Sequence, residues 1–241
     1  MNILSKILEH KKQQRPLLAV LVDPDKQEAY QSILPYINDV DLIFIGGSTG
    51  ESIDPCIKTL RQNSLSPLIL FPGNIAQFSP NADALLFLSL LNAQTADLLT
   101  KPHIKVATQV LQSGIETIPM GYILLDGERK SSVEIVSKCT PIPQKNIEQV
   151  LATAIAAQLL GKQLIYLEAG SGATKSVSID IIQTVREHIS IPLIVGGGIC
   201  NTEAMLQAFH AGADIVVIGN HFEQHPSDLP IFINALKNYA T

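Results

Sequence analysis

Charge is scarce in this chain. Of 241 residues, 16% are Asp, Glu, Lys or Arg and 46% are hydrophobic. That balance excludes a disordered protein and leaves ample side chains for a large buried core. A basic excess is also missing: 17 Lys+Arg stand against 22 Asp+Glu, a formal net charge of -5, and the sequence pI is near 5.6. Broad nucleic-acid binding needs a basic surface, so no nucleic-acid partner is expected. A small phosphate pocket built from backbone amides adds no formal charge and stays open. Cysteine is limited to Cys56, Cys139 and Cys200. Three, widely spaced and without a CxxC pair, support neither a disulfide framework nor a zinc knuckle and suit a reducing cytosol. No apolar run approaches the roughly 20 residues of a membrane span, and Leu17–Val22 is too short for a signal segment. A cytoplasmic protein without a transmembrane segment is expected, which still allows a lipid substrate. Linkers, low-complexity tracts and long repeats are absent, so 1–241 reads as a single domain.

What is present is a rhythm. After an amphipathic opening helix in Met1–Arg15, eight short apolar runs follow: Leu17–Val22, Val40–Ile45, Pro67–Phe71, Ala84–Ser89, Tyr122–Leu125, Gln163–Leu167, Ile191–Val195 and Asp214–Ile218. They are continuous in Leu, Ile and Val rather than alternating, as parallel strands covered on both faces are. Helical pattern separates most of them: Gln27–Ile37, Ile53–Gln62, Ala93–Gln112, Asn146–Leu160, Ile179–Ile189, Thr202–Ala211 and Leu229–Tyr239. Pro102 predicts an early end to the third. The alternation predicts an α/β fold, a (β/α)8 or TIM barrel, with a doubly wound open sheet as the alternative. Between Phe71 and Ala84, two prolines, a glycine and two asparagines leave little room for a crossover helix. One outer helix after strand 3 is therefore expected to be missing or reduced, opening the wall on that side.

Ligands of such folds sit where strands end. Strand six ends in Tyr166-Leu167-Glu168-Ala169-Gly170-Ser171-Gly172, strand seven in Gly196-Gly197-Gly198-Ile199 and strand eight in Gly219-Asn220. A single glycine loop would read as a tight turn. Three on consecutive strands, each opening toward a helix, favour an anion held by backbone N–H groups. Asp23-Pro24-Asp25 ends strand one and Gly46-Gly47-Ser48-Thr49-Gly50 ends strand two. Asp23 could bind Mg2+ together with substrate phosphate oxygens, or it could cap the next helix. Two phosphate-handling regions suggest two phosphorylated substrates, or one with a phosphate at each end. Glu168 is the candidate general base; an ion pair with Lys175 is the competing role. Tyr166, two positions earlier, faces the same side and offers a hydroxyl. The His221/His225 pair lacks a third zinc ligand and meets Pro226 at once. Lys105 lies away from a strand end, which disfavours Schiff-base chemistry. Asp126–Ser132 reads as a solvated turn leading to a short helix.

Taken in order, Asp23-Pro24-Asp25, Gly46-Gly47-Ser48, Phe71-Pro72-Gly73-Asn74, Tyr166–Gly172, Gly196–Ile199 and Gly219-Asn220 resemble the geranylgeranylglyceryl phosphate synthase family, which includes heptaprenylglyceryl phosphate synthases. The resemblance spans almost the whole chain. It implies a modified TIM barrel with one outer helix replaced. It implies an Mg2+-dependent prenyltransferase that moves a polyprenyl group, here geranylgeranyl, from its diphosphate to the 3-hydroxyl of sn-glycerol 1-phosphate. Carried over, Asp23 and Ser48 would bind Mg2+. Tyr166, Leu167, Glu168, Ala169, Gly170, Ser171, Gly172, Gly197, Gly198, Gly219 and Asn220 would hold glycerol phosphate, with Glu168 acting on the attacking hydroxyl. A homo-oligomer, dimer or hexamer, and loose membrane contact are further implications. Some members carry Lys two residues before the Asp; this chain has Leu21, which puts a phosphate contact from that position in doubt. Another phosphate-binding barrel enzyme and a non-catalytic phosphate binder are the competing readings.

Overall fold

Eight parallel strands close into a barrel in chain order: β1 (Leu17–Val22), β2 (Leu42–Ile45), β3 (Leu68–Leu70), β4 (Ala84–Leu90), β5 (Glu116–Leu124), β6 (Leu164–Glu168), β7 (Leu193–Gly196) and β8 (Ile215–Ile218), with β8 pairing back onto β1. The computed structural model describes residues 2–47, 53–74, 77–95 and 99–239. The strand period explains the apolar runs. Leu17, Ala19, Phe44, Ile69, Leu86, Met120 and Tyr166 fill the barrel interior. Leu18, Val20, Ile43, Leu70, Ile165 and Val216 face the outer layer. Both faces are dry, so neither can alternate with polar residues.

Among the described residues the helices are α1 (Ile3–Lys12), α2 (Gln27–Ile33), α3 (Asp54–Asn63), α4 (Lys101–Ser113), α5 (Ser132–Ser137), α6 (Ile147–Leu159), α7 (Ile179–His188), α8 (Thr202–His210), α9 (Asn220–Gln224) and α10 (Leu229–Tyr239). Helix α1 closes the bottom of the barrel. Its Ile7 is buried with the interior cluster, and Ile3 and Leu4 pack against that cluster. Asn2 Oδ1 accepts the Ser5 N–H at 2.8 Å, while Glu116 accepts the amides of Ile3 at 2.6 Å and Leu4 at 2.9 Å. The otherwise orphaned donors of the first turn are thereby satisfied.

The helical pattern breaks at Thr100, just before Pro102, as expected, and Pro102 then stands in the first turn of α4, where a residue has no N–H partner to lose. Two expectations are corrected. β5 begins at Glu116, six residues before the apolar run Tyr122–Leu125; Glu116, Thr117 and Pro119 broke the pattern in sequence. The helix expected over Gln27–Ile37 stops at Ile33 and tightens into a 3-10 turn over Leu34–Asp39, where Pro35 stands in the first turn.

No helix lies between β3 and β4 among the described residues. The segment is held by side chains instead. Gln77 accepts the Gly73 N–H at 2.8 Å. Ser79 donates to Asp54, the first residue of α3, and the Asn81 amide donates to it at 3.0 Å. The barrel wall therefore lacks its usual cover beside β4.

Candidate active site at the C-terminal mouth of the barrel

A cavity of about 1400 Å³ opens at the carboxyl ends of the strands. One end is polar and is made by the loops after β6, β7 and β8. The other is apolar and runs past Leu85, Phe87, Val106, Val133 and Ile135 on β4, α4 and α5, the side left uncovered by the missing helix. The volume exceeds the roughly 300–1,000 Å³ of an ordinary small-ligand pocket.

Glu168, the last residue of β6, sits on the polar side and is 7% exposed. Its Oε1 accepts the Gly170 N–H at 2.6 Å, and the Tyr166 phenol donates to the same carboxylate. Burial pushes the Glu168 carboxyl above its ordinary value, and these two hydrogen bonds hold the rise in check. Lys175, the alternative partner, pairs with Glu128 at 3.4 Å. Beneath Glu168 lies an aromatic floor: the Tyr166 ring meets Phe71 at 5.5 Å and Tyr122 at 5.3 Å. Burial also pushes both phenols well above their ordinary values, so Tyr166 acts as a proton-bearing donor.

The glycines make room for this arrangement. A Cβ on Gly196 would lie 2.3 Å from the Tyr166 hydroxyl oxygen, and one on Gly197 would lie 2.5 Å from Glu168 Oε1. Gly197 also has φ 84, in the left-handed region that side chains disfavour.

Tyr166, Glu168, Gly170, Ser171, Gly172, Gly197, Gly198, Gly219 and Asn220 all line the cavity. Leu167 and Ala169 turn their side chains into the outer layer and offer the site only backbone. Ser171 Oγ donates to Asn220 Oδ1 at 3.2 Å, tying the β6 and β8 loops together.

Asp23 also lines the cavity, across the mouth. It caps no helix, since the residue before α2 is Lys26 and makes no side-chain cap. Its Oδ1 instead accepts the Asp25 N–H at 3.1 Å, and Lys26 stands 3.7 Å from its Oδ2. A Cβ on Gly47 would fall 2.5 Å from Asp23 Oδ1, so the backbone after β2 is pressed against the carboxylate. Among the described residues no group of three or more His, Cys, Asp or Glu could hold a metal by itself. This donor set fits Mg2+, which takes one or two carboxylates and draws its other oxygens from substrate phosphate and water. Ser48, the other expected ligand, lies outside the described residues.

Asp126, Glu128, Arg129 and Lys130 are exposed and the short helix α5 follows, as expected of a solvated turn; Arg129 and Lys130 also line the cavity. The turn is pulled inward by the Gly127 carbonyl, which accepts the amides of Thr174 at 3.1 Å and Lys175 at 3.3 Å.

A closed parallel barrel with three anion-ready loops around a buried carboxylate, opening onto an apolar groove, defines a phosphate-binding barrel enzyme built for a substrate with a long apolar part. The chain belongs to the PcrB family, which matches it over residues 8–237. It is 45% identical over 227 residues to the geranylgeranylglyceryl phosphate synthase of Zunongwangia profunda, covering 92% of this chain and 97% of the relative. To the enzyme of that name from Pyrococcus horikoshii it is 38% identical, covering 92% and 89%. Among solved structures, the (S)-3-O-geranylgeranylglyceryl phosphate synthase of Thermoplasma acidophilum, in complex with substrate sn-glycerol-1-phosphate, superposes with a TM-score of 0.90 at 31% identity over 99% of both chains. The tryptophan synthase alpha-subunit of Pyrococcus furiosus, at 13% identity and TM-score 0.53 over 92% of this chain and 96% of its own, shares the fold alone.

Proposed function

We propose that this chain is a prenyltransferase that joins the geranylgeranyl group of its diphosphate to the 3-hydroxyl of sn-glycerol 1-phosphate. One observation carries the reading: Glu168 stands where three glycine loops meet the apolar groove, so a phosphorylated alcohol on one side and a prenyl chain on the other would meet at its carboxylate. The loops after β6, β7 and β8 would hold the glycerol phosphate through backbone N–H groups, Ser171 and Asn220. The Glu168 carboxylate would accept the proton of the 3-hydroxyl as its oxygen bonds to the allylic carbon. The carbon–oxygen bond to diphosphate breaks, and its electron pair leaves with the diphosphate. A carboxyl raised by burial is a better base than an exposed one. The Tyr166 hydrogen bond fixes its orientation.

Asp23 would hold Mg2+ at the diphosphate end. When bound, the ion offsets charge on the leaving group. The groove along β4, α4 and α5 would take the prenyl tail and keep water from the allylic carbon. Its rim carries Ile135 and Val136, both more than half exposed, which suits loose contact with a lipid surface. Leu111, Leu159 and Leu160 are also exposed and suit burial in a homo-oligomer. The three described cysteines are unpaired, in keeping with a cytoplasmic setting.

A mass-spectrometric assay with geranylgeranyl diphosphate and Mg2+ tests this, with sn-glycerol 1-phosphate and sn-glycerol 3-phosphate offered separately. Ether product from the 1-phosphate alone is expected. No product from either, with shorter and longer prenyl diphosphates also tried, would reject the reading.

A further inference from the structure

We infer that Arg129 is the phosphate clamp of this chain, a guanidinium that supplies the positive charge its glycine loops lack. The inference rests on the functional reading above and adds a residue to it. A phosphate monoester brings close to two negative charges, and backbone amides answer them only with partial ones. The end of β1 carries Leu21 rather than a cation. Lys26 is engaged across the mouth, 2.7 Å from Glu223 and 3.7 Å from Asp23. Lys101 and Lys105 belong to α4 at the apolar end of the cavity.

Arg129 stands elsewhere. A Cβ placed on Gly172 would lie 3.8 Å from its Nη1 and 3.5 Å from Asn220 Nδ2. Guanidinium, carboxamide N–H and the β6 loop thus surround one spot, and these N–H groups are donors. Among the described residues Arg129 has no hydrogen bond or ion pair of its own. Arg129 is exposed, and the loop that carries it is anchored against the site. Gly127 accepts two amides of the β6 loop. Gln144 donates to Asp126 O at 2.8 Å and to Ser176 O at 3.1 Å. Ser131 packs so closely on Gly170 that a Cβ there would meet its side chain at 2.6 Å. Glu128, immediately before Arg129, has φ 63, a conformation that costs a non-glycine residue energy and turns the chain at this point. A planar guanidinium matches two phosphate oxygens at once.

The test is calorimetric binding of sn-glycerol 1-phosphate, and separately of inorganic phosphate, to wild type, Arg129→Ala and Arg129→Lys. Steady-state kinetics of each variant accompany it. Arg129→Ala should weaken both anions roughly tenfold or more, and Arg129→Lys should recover part of the loss. The kcat at saturating glycerol phosphate, the KM for geranylgeranyl diphosphate and the unfolding temperature should not move. Wild-type binding should also weaken with added salt more steeply than that of Arg129→Ala. Equal affinity of Arg129→Ala and wild type for both anions would overturn the assignment. So would a loss confined to geranylgeranyl diphosphate. If wild type fails to bind sn-glycerol 1-phosphate, the functional reading falls, and the inorganic phosphate arm still decides for or against Arg129.

Discussion

The two ends of the barrel use carboxylates in opposite ways. At the bottom, acidic residues stand at strand starts and each is spent on backbone. Asp41 accepts the Leu18 N–H at 2.9 Å, Asp83 that of Leu68 at 2.7 Å and Asp214 that of Leu193 at 2.8 Å. Glu116 holds the first turn of α1. Arg186 and Arg61 complete Asp214 and Asp83, each at 2.8 Å. At the top, Glu168 accepts a local turn amide and a phenol, Asp23 accepts a local turn amide beside Lys26, and both face the cavity. The same chemical group staples the fold at strand beginnings and is left for substrate at strand ends. The sharpest way to break this contrast is Glu168→Gln. It should lower kcat by about 10²-fold or more while changing glycerol phosphate affinity little, as single-turnover rates and direct binding would reveal. Unchanged turnover would remove Glu168 as the base.

A bottom carboxylate should behave in reverse. Asp214→Ala would strand the Leu193 N–H and remove the ion pair with Arg186, which keeps its bonds to the Ile189 and Ile191 carbonyls, costing about 2 kcal/mol of stability. Turnover per folded molecule should stay at the wild-type level. Urea unfolding beside a specific-activity assay separates the two; an activity loss without a stability loss would dissolve the distinction between the ends. A smaller effect is expected at the other top carboxylate. Asp23→Asn should raise the Mg2+ concentration for half-maximal activity by about tenfold, and a wild-type metal titration in that variant would exclude Asp23 as a ligand.

Much of this contrast is legible in the sequence. The three glycine loops are contiguous in chain order, so their meeting follows from the strand alternation alone. The missing helix after β3 follows from Pro72, Gly73, Pro80 and two asparagines in a short interval. Arg129 was not legible. Asp126–Ser132 has the polar composition of a solvated turn, and only long-range bonds draw it inward: Gly127 O to Thr174 and Lys175, and the bridge of Leu125 with Ile142. Local composition carries no record of such partners. The staples at the bottom carry a signal in the sequence, because Asp41, Asp83 and Asp214 each stand one residue before a strand. The sequence offers Lys175 as an ion-pair partner for Glu168; its pairing with Glu128 instead depends on the tertiary fold.

Acidity sharpens the comparison with the smallest effect. Burial raises the Glu168 carboxyl above its ordinary 4.5, against the hydrogen bonds from Tyr166 and Gly170. A carboxyl raised on folding binds extra protons in the folded state, so stability falls as pH rises through the raised interval and the loss persists at neutral pH. Glu168→Gln keeps an acceptor for the Gly170 N–H and cannot ionise. It should therefore unfold at a higher temperature than wild type at pH 7.5, with the gap closing as pH drops below 4.5. Asp41 is also raised by burial, partly offset by the Leu18 N–H, so Asp41→Asn should show the same sign at the other end of the barrel. Turnover then tells the ends apart: Asp41→Asn should leave it intact, because that buried charge serves only the strand beside it. The charge at Glu168 is retained at a cost to the fold because the reaction uses it. A gap at Glu168 that stayed constant from pH 4 to pH 8 would trace the gain to packing instead and leave no stability given up for catalysis.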